Sequence, residues 1–119
     1  MDRRDCLYMA LSLLKYHGLA GWSSGFHLNS QLGICDHQAR RITFCGQLVD
    51  LSEDPTEIRL VILHEIAHAL VGTNHDHDEL WHAKAREIGA RPEQYAKPKP
   101  LSDSEIAYLQ ELDRSKFLE

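Results

Sequence analysis

The run Val61-Ile62-Leu63-His64-Glu65-Ile66-Ala67-His68-Ala69-Leu70 sets two histidines and a glutamate inside an otherwise aliphatic stretch. Ile58, Val61, Ile62, Leu63, Ile66, Ala69, Leu70 and Val71 wrap nearly all sides of a helix, so that helix has to be buried rather than amphipathic. Buried polar side chains need partners, and the spacing names one. Residues four apart on a helix lie one turn above each other, with Cβ atoms about 5–6 Å apart, so the rings of His64 and His68 can meet on one zinc ion at about 2.0–2.1 Å. Glu65, next to the first histidine, then stands beside the open position of such a metal, where it can take a proton from a bound water. The plain alternative is an ordinary buried helix with two satisfied histidines; a solvated face is excluded by the apolar residues on every side.

The boundaries of this helix are written in the chain. Asp54-Pro55-Thr56-Glu57 supplies an N-cap carboxylate, a proline at the first helical position and a glutamate closing a capping box, and Gly72 stops the helix after Val71. Before it, Leu7, Ala10, Leu11 and Leu14 fall at helical spacing and predict an amphipathic helix from about Arg4 to His17, closed by Gly18 and packed on a sheet. Trp22, Ser24, Phe26 and Leu28 alternate with Ser23, Gly25 and His27 at the period of a half-buried strand, and Asn29-Ser30 supplies a turn. Leu32 to Asp36 and Arg41 to Cys45 read as hairpin arms, with Leu32, Ile34, Ile42 and Phe44 on the buried face. Leu48 to Leu51 adds a short extended piece.

Downstream, Trp81, Ala85 and Ile88 define one face of a helix from about Asp78 to Gly89. Pro92, Pro98 and Pro100 keep the next stretch irregular, and Ser102-x-x-Glu105 opens a final helix, about 102–118, carried by Ile106, Leu109 and Leu112. With consecutive strands joined by tight turns, the expected fold class is α+β. It is a small, mostly antiparallel sheet of three or four strands, packed with a buried metal-binding helix and flanking helices.

Composition bounds the function. The 119 residues suit one domain able to bury a core without disulfides. The net charge is −5 with histidine neutral, and Lys97-Pro98-Lys99 is the one basic cluster, so DNA binding is expected to be weak and salt-sensitive at most. Cys6, Cys35 and Cys45 form no Cys-x-x-Cys pair and read as reduced, packed thiols. No apolar run is long enough to span a membrane, and Asp2, Asp5 and Lys15 around the stretch Cys6 to Leu14 argue against a signal peptide. The expected location is therefore cytoplasmic.

A catalytic zinc takes three protein ligands and keeps one position open, so a third ligand lies downstream of His68. Four residues offer themselves: His75 and His77 in the loop Asn74-His75-Asp76-His77-Asp78, His82 on the next helix, and Glu87, nineteen residues after His68. Glu87 falls about 120° from the Trp81 face and should point to solvent, and His82 is off that face by one residue.

Taken together, His64-Glu65-Ile66-Ala67-His68 and His77-Asp78-Glu79-Leu80-Trp81 resemble the SprT-like (Spartan-related) metalloproteases of the zincin group. In that family a third histidine follows the signature helix, with a bulky aromatic four residues beyond it. Gly33-Ile34-Cys35, Arg41-Ile42-Thr43-Phe44 and Ile88-Gly89 are similar to the family as well, and the resemblance spans about residues 5 to 90. The paired cysteines of a zinc ribbon and the DNA-binding extensions of the Spartan branch are absent from this sequence.

The resemblance implies one SprT-like domain over residues 1–119, without a zinc ribbon. It also implies a zincin-like fold, zinc held by His64, His68 and His77, and Glu65 as general base. The helical setting agrees: His77 is four residues before Trp81 and projects near the same side, whereas His75 is two residues further out and stays open as the ligand. Asp76 or Asp78 can accept the second N–H of a ligating imidazole. The expected activity is zinc-dependent hydrolysis of peptide bonds by a metal-bound water that Glu65 activates, with His75, His82 or Tyr95 as the further oxyanion donor. The strand leading into the metal helix is expected to offer its edge to an extended protein or peptide substrate. The rivals are a non-catalytic zinc-binding module with a fourth protein ligand, and a metal-dependent nuclease or other hydrolase.

Overall fold

The structure is a computed structural model in which residues 1–29, 31–73 and 77–90 are described. The helix expected at residues 102–118, His75, Asp76 and Tyr95 lie outside those residues. The elements are α1 (Arg3–Tyr16), β1 (Ser23–His27), β2 (Gly33–Asp36), β3 (Arg41–Cys45), α2 (Gly46–Leu51), α3 (Pro55–Val71) and α4 (Glu79–Ile88). The fold is α+β, with helices around one small sheet.

α3 is the element on which the others are arranged. Asp54 caps it by accepting the Thr56 N–H at 2.9 Å, Pro55 occupies the start where no intrahelical donor is needed, and Gly72 ends it. Residues Ile62 to Ala67 are buried without interruption, as a helix covered on all sides requires. α1, β2 and α4 each pack against it.

The sheet is mixed rather than mostly antiparallel. Its order is β1-β3-β2, with β2 antiparallel to β3 and β1 parallel to β3. The expectation assumed that strands next to each other in the chain pair with each other. Instead the connection after β1 carries the chain to the far edge, and the hairpin then returns β3 between the other two. β3 is therefore central, and the free edge beside α3 belongs to β2, not to the strand leading into the metal helix.

Register corrects a second expectation. Cys35 pairs with Ile42 and Gly33 with Phe44, so these four share the face that carries the core, and Phe26, opposite Phe44 on the other side, joins them. Ile34, opposite Thr43, lies on the other face. A one-residue slip exchanges the faces of a strand, and here the small positions Gly33 and Cys35 turn inward while Ile34 turns out.

Leu48 to Leu51 is helical, not extended. Four residues are too few to carry a period, and tertiary contacts decide. Val49 is buried, and Asp50 accepts both the Nε and Nη2 of Arg3 at 3.0 Å. The same guanidinium lies 5.3 Å from the centre of the Phe26 ring, so one side chain ties α1 to α2 and β1.

α1 also turns a different face inward. Its buried residues are Cys6, Ala10, Leu13 and Leu14, while Leu11 is 48% exposed; the buried stripe is rotated by about 60° from the one expected, because α1 is wedged between α3 and β1. Cys6 serves as a small apolar side chain in that wedge, its thiol pushed up to about 11 by burial. All three cysteines are free, and among the described residues no helix is long and apolar enough to cross a membrane.

The rotated face can be measured. Leu14→Ala should lower unfolding stability by about 2–5 kcal/mol in urea titrations, whereas Leu11→Ala should change it by about 0.5 kcal/mol or less. Equal losses would restore the stripe centred on Leu7 and Leu11.

Candidate metal centre

Two helices and the turn before the second build the site. His64 and His68 project from α3 one turn apart, their ring centroids separated by 5.1 Å. His77 reaches the same point from the other side. It is not helical: its φ is 54°, in the left-handed region, immediately before Asp78 caps α4 by accepting the Trp81 N–H at 2.9 Å. The helical projection expected of His77 therefore has the right side but the wrong cause. A sparsely populated backbone conformation, rather than the periodicity of α4, aims the ring at α3.

The three imidazoles converge through their Nε2 atoms. His77 Nε2 is 3.0 Å from His64 Nε2 and 3.2 Å from His68 Nε2, and one ligand atom from each residue lies within 4.8 Å of the others. A neutral imidazole nitrogen is either a donor or an acceptor, so three that face one another cannot all be satisfied by hydrogen bonds among themselves. A cation satisfies all three lone pairs at once. Metal–nitrogen bonds of about 2.0–2.1 Å at tetrahedral angles separate ligand atoms by about 3.3–3.4 Å, close to the spacings here. The His64/His68/His77 group can hold a metal ion.

Trp81 is the body against which the rings rest. It is fully buried, its ring lies 4.7, 5.2 and 4.6 Å from those of His64, His68 and His77, and its indole N–H donates to the His64 carbonyl at 3.4 Å. An apolar wall of this kind keeps water from one side of the imidazoles. Burial, followed by the neighbouring His68 and His77, pushes His64 down to about 3, which holds it in the neutral form that a ligand must have.

Glu65 is 7% exposed, and its Oε2 lies 4.0 Å from His64 Nε2. On its other side is β2: a Cβ on Gly33 would meet Glu65 Cγ at 2.8 Å and Oε2 at 2.9 Å. The Cys35 thiol, on the same face of β2, is pushed up to about 12 by burial and then by the Glu65 and Asp36 charges. Gly33 is the site residue that sequence reading missed. A glycine inside the strand arm expected at Leu32 to Asp36 was the available signal, since it marks close approach of another group.

The other expected candidates are elsewhere. Glu87 is exposed and pairs with Lys84 at 2.9 Å, and His82 meets the Trp81 ring edge-on, 5.1 Å between ring centres. Asp78 serves as the α4 cap.

A model of the SprT-like family matches residues 13–100 of the chain. No curated protein and no solved structure matches it.

The depressed His64 value has a thermodynamic consequence in the metal-free chain. The unfolded imidazole takes a proton near pH 6.5 and the folded one near 3, so between these values the unfolded state binds more protons and stability rises with pH. Urea midpoints of chelator-treated protein should therefore fall from pH 6.5 towards 3, His64 contributing up to about 1.4 kcal/mol per unit. His64→Gln should flatten this slope; an unchanged slope would mean that His64 is not held neutral.

Proposed function

Because this chain belongs to the SprT-like family, we propose that it is a zinc-dependent metallopeptidase in which His64, His68 and His77 hold the metal and Glu65 is the general base. The observation that carries this reading is the meeting of three Nε2 atoms at 3.0 and 3.2 Å beside a buried carboxylate. When bound, zinc supplies Lewis acidity that polarises a scissile carbonyl and makes water a better acid.

The rest of the chemistry belongs to the chain. Glu65 Oε2, on the same side of α3 as the histidine nitrogens, takes a proton from the attacking water and passes it to the leaving amine. Trp81 and the α3 aliphatic residues exclude bulk solvent, which strengthens every charge interaction in the site.

The edge of β2 supports a substrate class. The Cys45 N–H donates to the Leu32 carbonyl at 3.1 Å, so Gly33 and Cys35 occupy the non-hydrogen-bonded positions opposite β3. Their own N–H and C=O groups face the edge of the sheet, next to Glu65. An extended peptide added to that edge is held by its backbone, with little demand on its side chains, which suits unfolded or flexible protein.

A non-catalytic zinc module needs a fourth protein ligand, and among the described residues the metal-holding group has three members. A nuclease needs phosphate neutralisation that a chain of net charge −5 does little to supply.

Glu65→Gln should retain stoichiometric zinc and the fold while cleavage of an unfolded protein falls by about 10²–10⁴-fold. Full cleavage by that variant would remove Glu65 as the base. In chelator competition, His77→Ala should weaken zinc binding far more than His75→Ala, and the reverse order would move the third ligand two residues upstream.

A further inference from the structure

Gly33 opens β2, paired with Phe44 of β3, and leaves no side chain to pack on the inner face of the sheet. Its backbone gives no reason for it, since Gly18, Gly72 and Gly89 are the described glycines with positive φ and Gly33 is not among them. Space gives the reason. An added Cβ would lie 2.8 Å from Glu65 Cγ, 2.9 Å from Oε2 and 3.1 Å from Cδ. Gly25 offers a contrast: a Cβ there meets the tip of the exposed Arg41 side chain, which can swing away. At Gly33 the nearest atom is the middle of a side chain that is 7% exposed and rooted on the buried helix α3.

We propose that Gly33 is a positioning residue for Glu65: the bare Cα of β2 forms the floor on which the carboxylate rests, and the strand thereby fixes where the base stands relative to the three histidines. The inference builds on the peptidase reading above and adds a residue that acts through the placement of Glu65 rather than on the metal. Glu65 lies between α3 and the inner face of β2, where Gly33 and Cys35 alternate with Ile34 turned away. The effect of Glu65 on the Cys35 thiol agrees with a carboxylate lying along that face. A methyl group at position 33 has to push Cγ and the carboxylate away, and a misplacement of about 1 Å in a catalytic group costs about 10²-fold in rate. The histidines, held by α3, Trp81 and the His77 turn, are not moved.

The test joins a stability cycle to kinetics on the full-length, zinc-loaded chain. Gly33→Ala should lower the urea midpoint in the wild-type background and have little effect in Glu65→Ala, where Cγ and the carboxylate are gone. Equal losses in both backgrounds would overturn the proposal. If Gly33→Ala does not fold on the wild-type background, its folding on Glu65→Ala supports the contact, and failure on both overturns it.

With fluorescently labelled casein as substrate, Gly33→Ala should lower kcat by about ten-fold or more while KM and zinc affinity stay within about two-fold. Unchanged kcat beside an inactive Glu65→Gln would overturn the positioning role alone. Loss of zinc by Gly33→Ala would overturn it too, since the effect would then run through the metal. Full activity of Glu65→Gln would instead overturn the peptidase reading, leaving the stability cycle to decide whether Gly33 accommodates that side chain.

Discussion

Three imidazole nitrogens facing one another across 3.0 and 3.2 Å are the condition to which the described fold answers. Desolvating a histidine or a carboxylate is unfavourable, and α3 does both within two consecutive residues, His64 and Glu65. The aliphatic residues around them make the helix stable only as a buried element, so α1, β2 and α4 have to cover it. The polar groups then have to be satisfied inside. His68 and His77 answer on one side, and β2 closes the other.

Each cover has its own consequence for the site. α4 brings Trp81, whose ring meets all three histidines and whose N–H reaches the His64 carbonyl, so the turn before α4 is fixed to α3 by the same residue that walls the imidazoles. That anchoring supports the left-handed backbone of His77, a conformation that persists where surrounding contacts over-determine it. β2 brings the opposite kind of contact, a missing side chain. Because β3 is central, β2 has one neighbour and one free edge, and the residues whose inner face touches Glu65 are those whose backbone groups point outward.

What was legible in the sequence was local. Asp54, Pro55 and Gly72 bound α3, Asp78 and Gly89 bound α4, and the spacing of His64 and His68 is a property of any helix, so these required no knowledge of the rest of the chain. The hairpin was legible because its arms are contiguous. Sheet order was not, since β1 pairs with a strand that is not its neighbour in the chain and no residue in β1 records that choice. The α1 face was misread because Leu11 and Leu13 are equally apolar, and the covering elements alone decide which is buried. α2 was misread because its short run is held by Arg3, forty-seven residues away from Asp50.

The site divides along the same line. His64, Glu65 and His68 are set by one helix, while His77 was reached through a family resemblance and a helical projection that its backbone does not follow. Gly33 was read as part of the hairpin and the family resemblance but given no role at the site, because a glycine's role lies in what it lets approach, and that neighbour is thirty-two positions downstream on another element. A metal centre on a single helix would need only its signature. Here the signature supplies two histidines and a carboxylate, and the orientation of all three depends on a tryptophan seventeen residues after His64 and a glycine thirty-one before it. A short motif alone therefore does not make a site that can hold a metal ion: distant residues have to supply the wall and the floor.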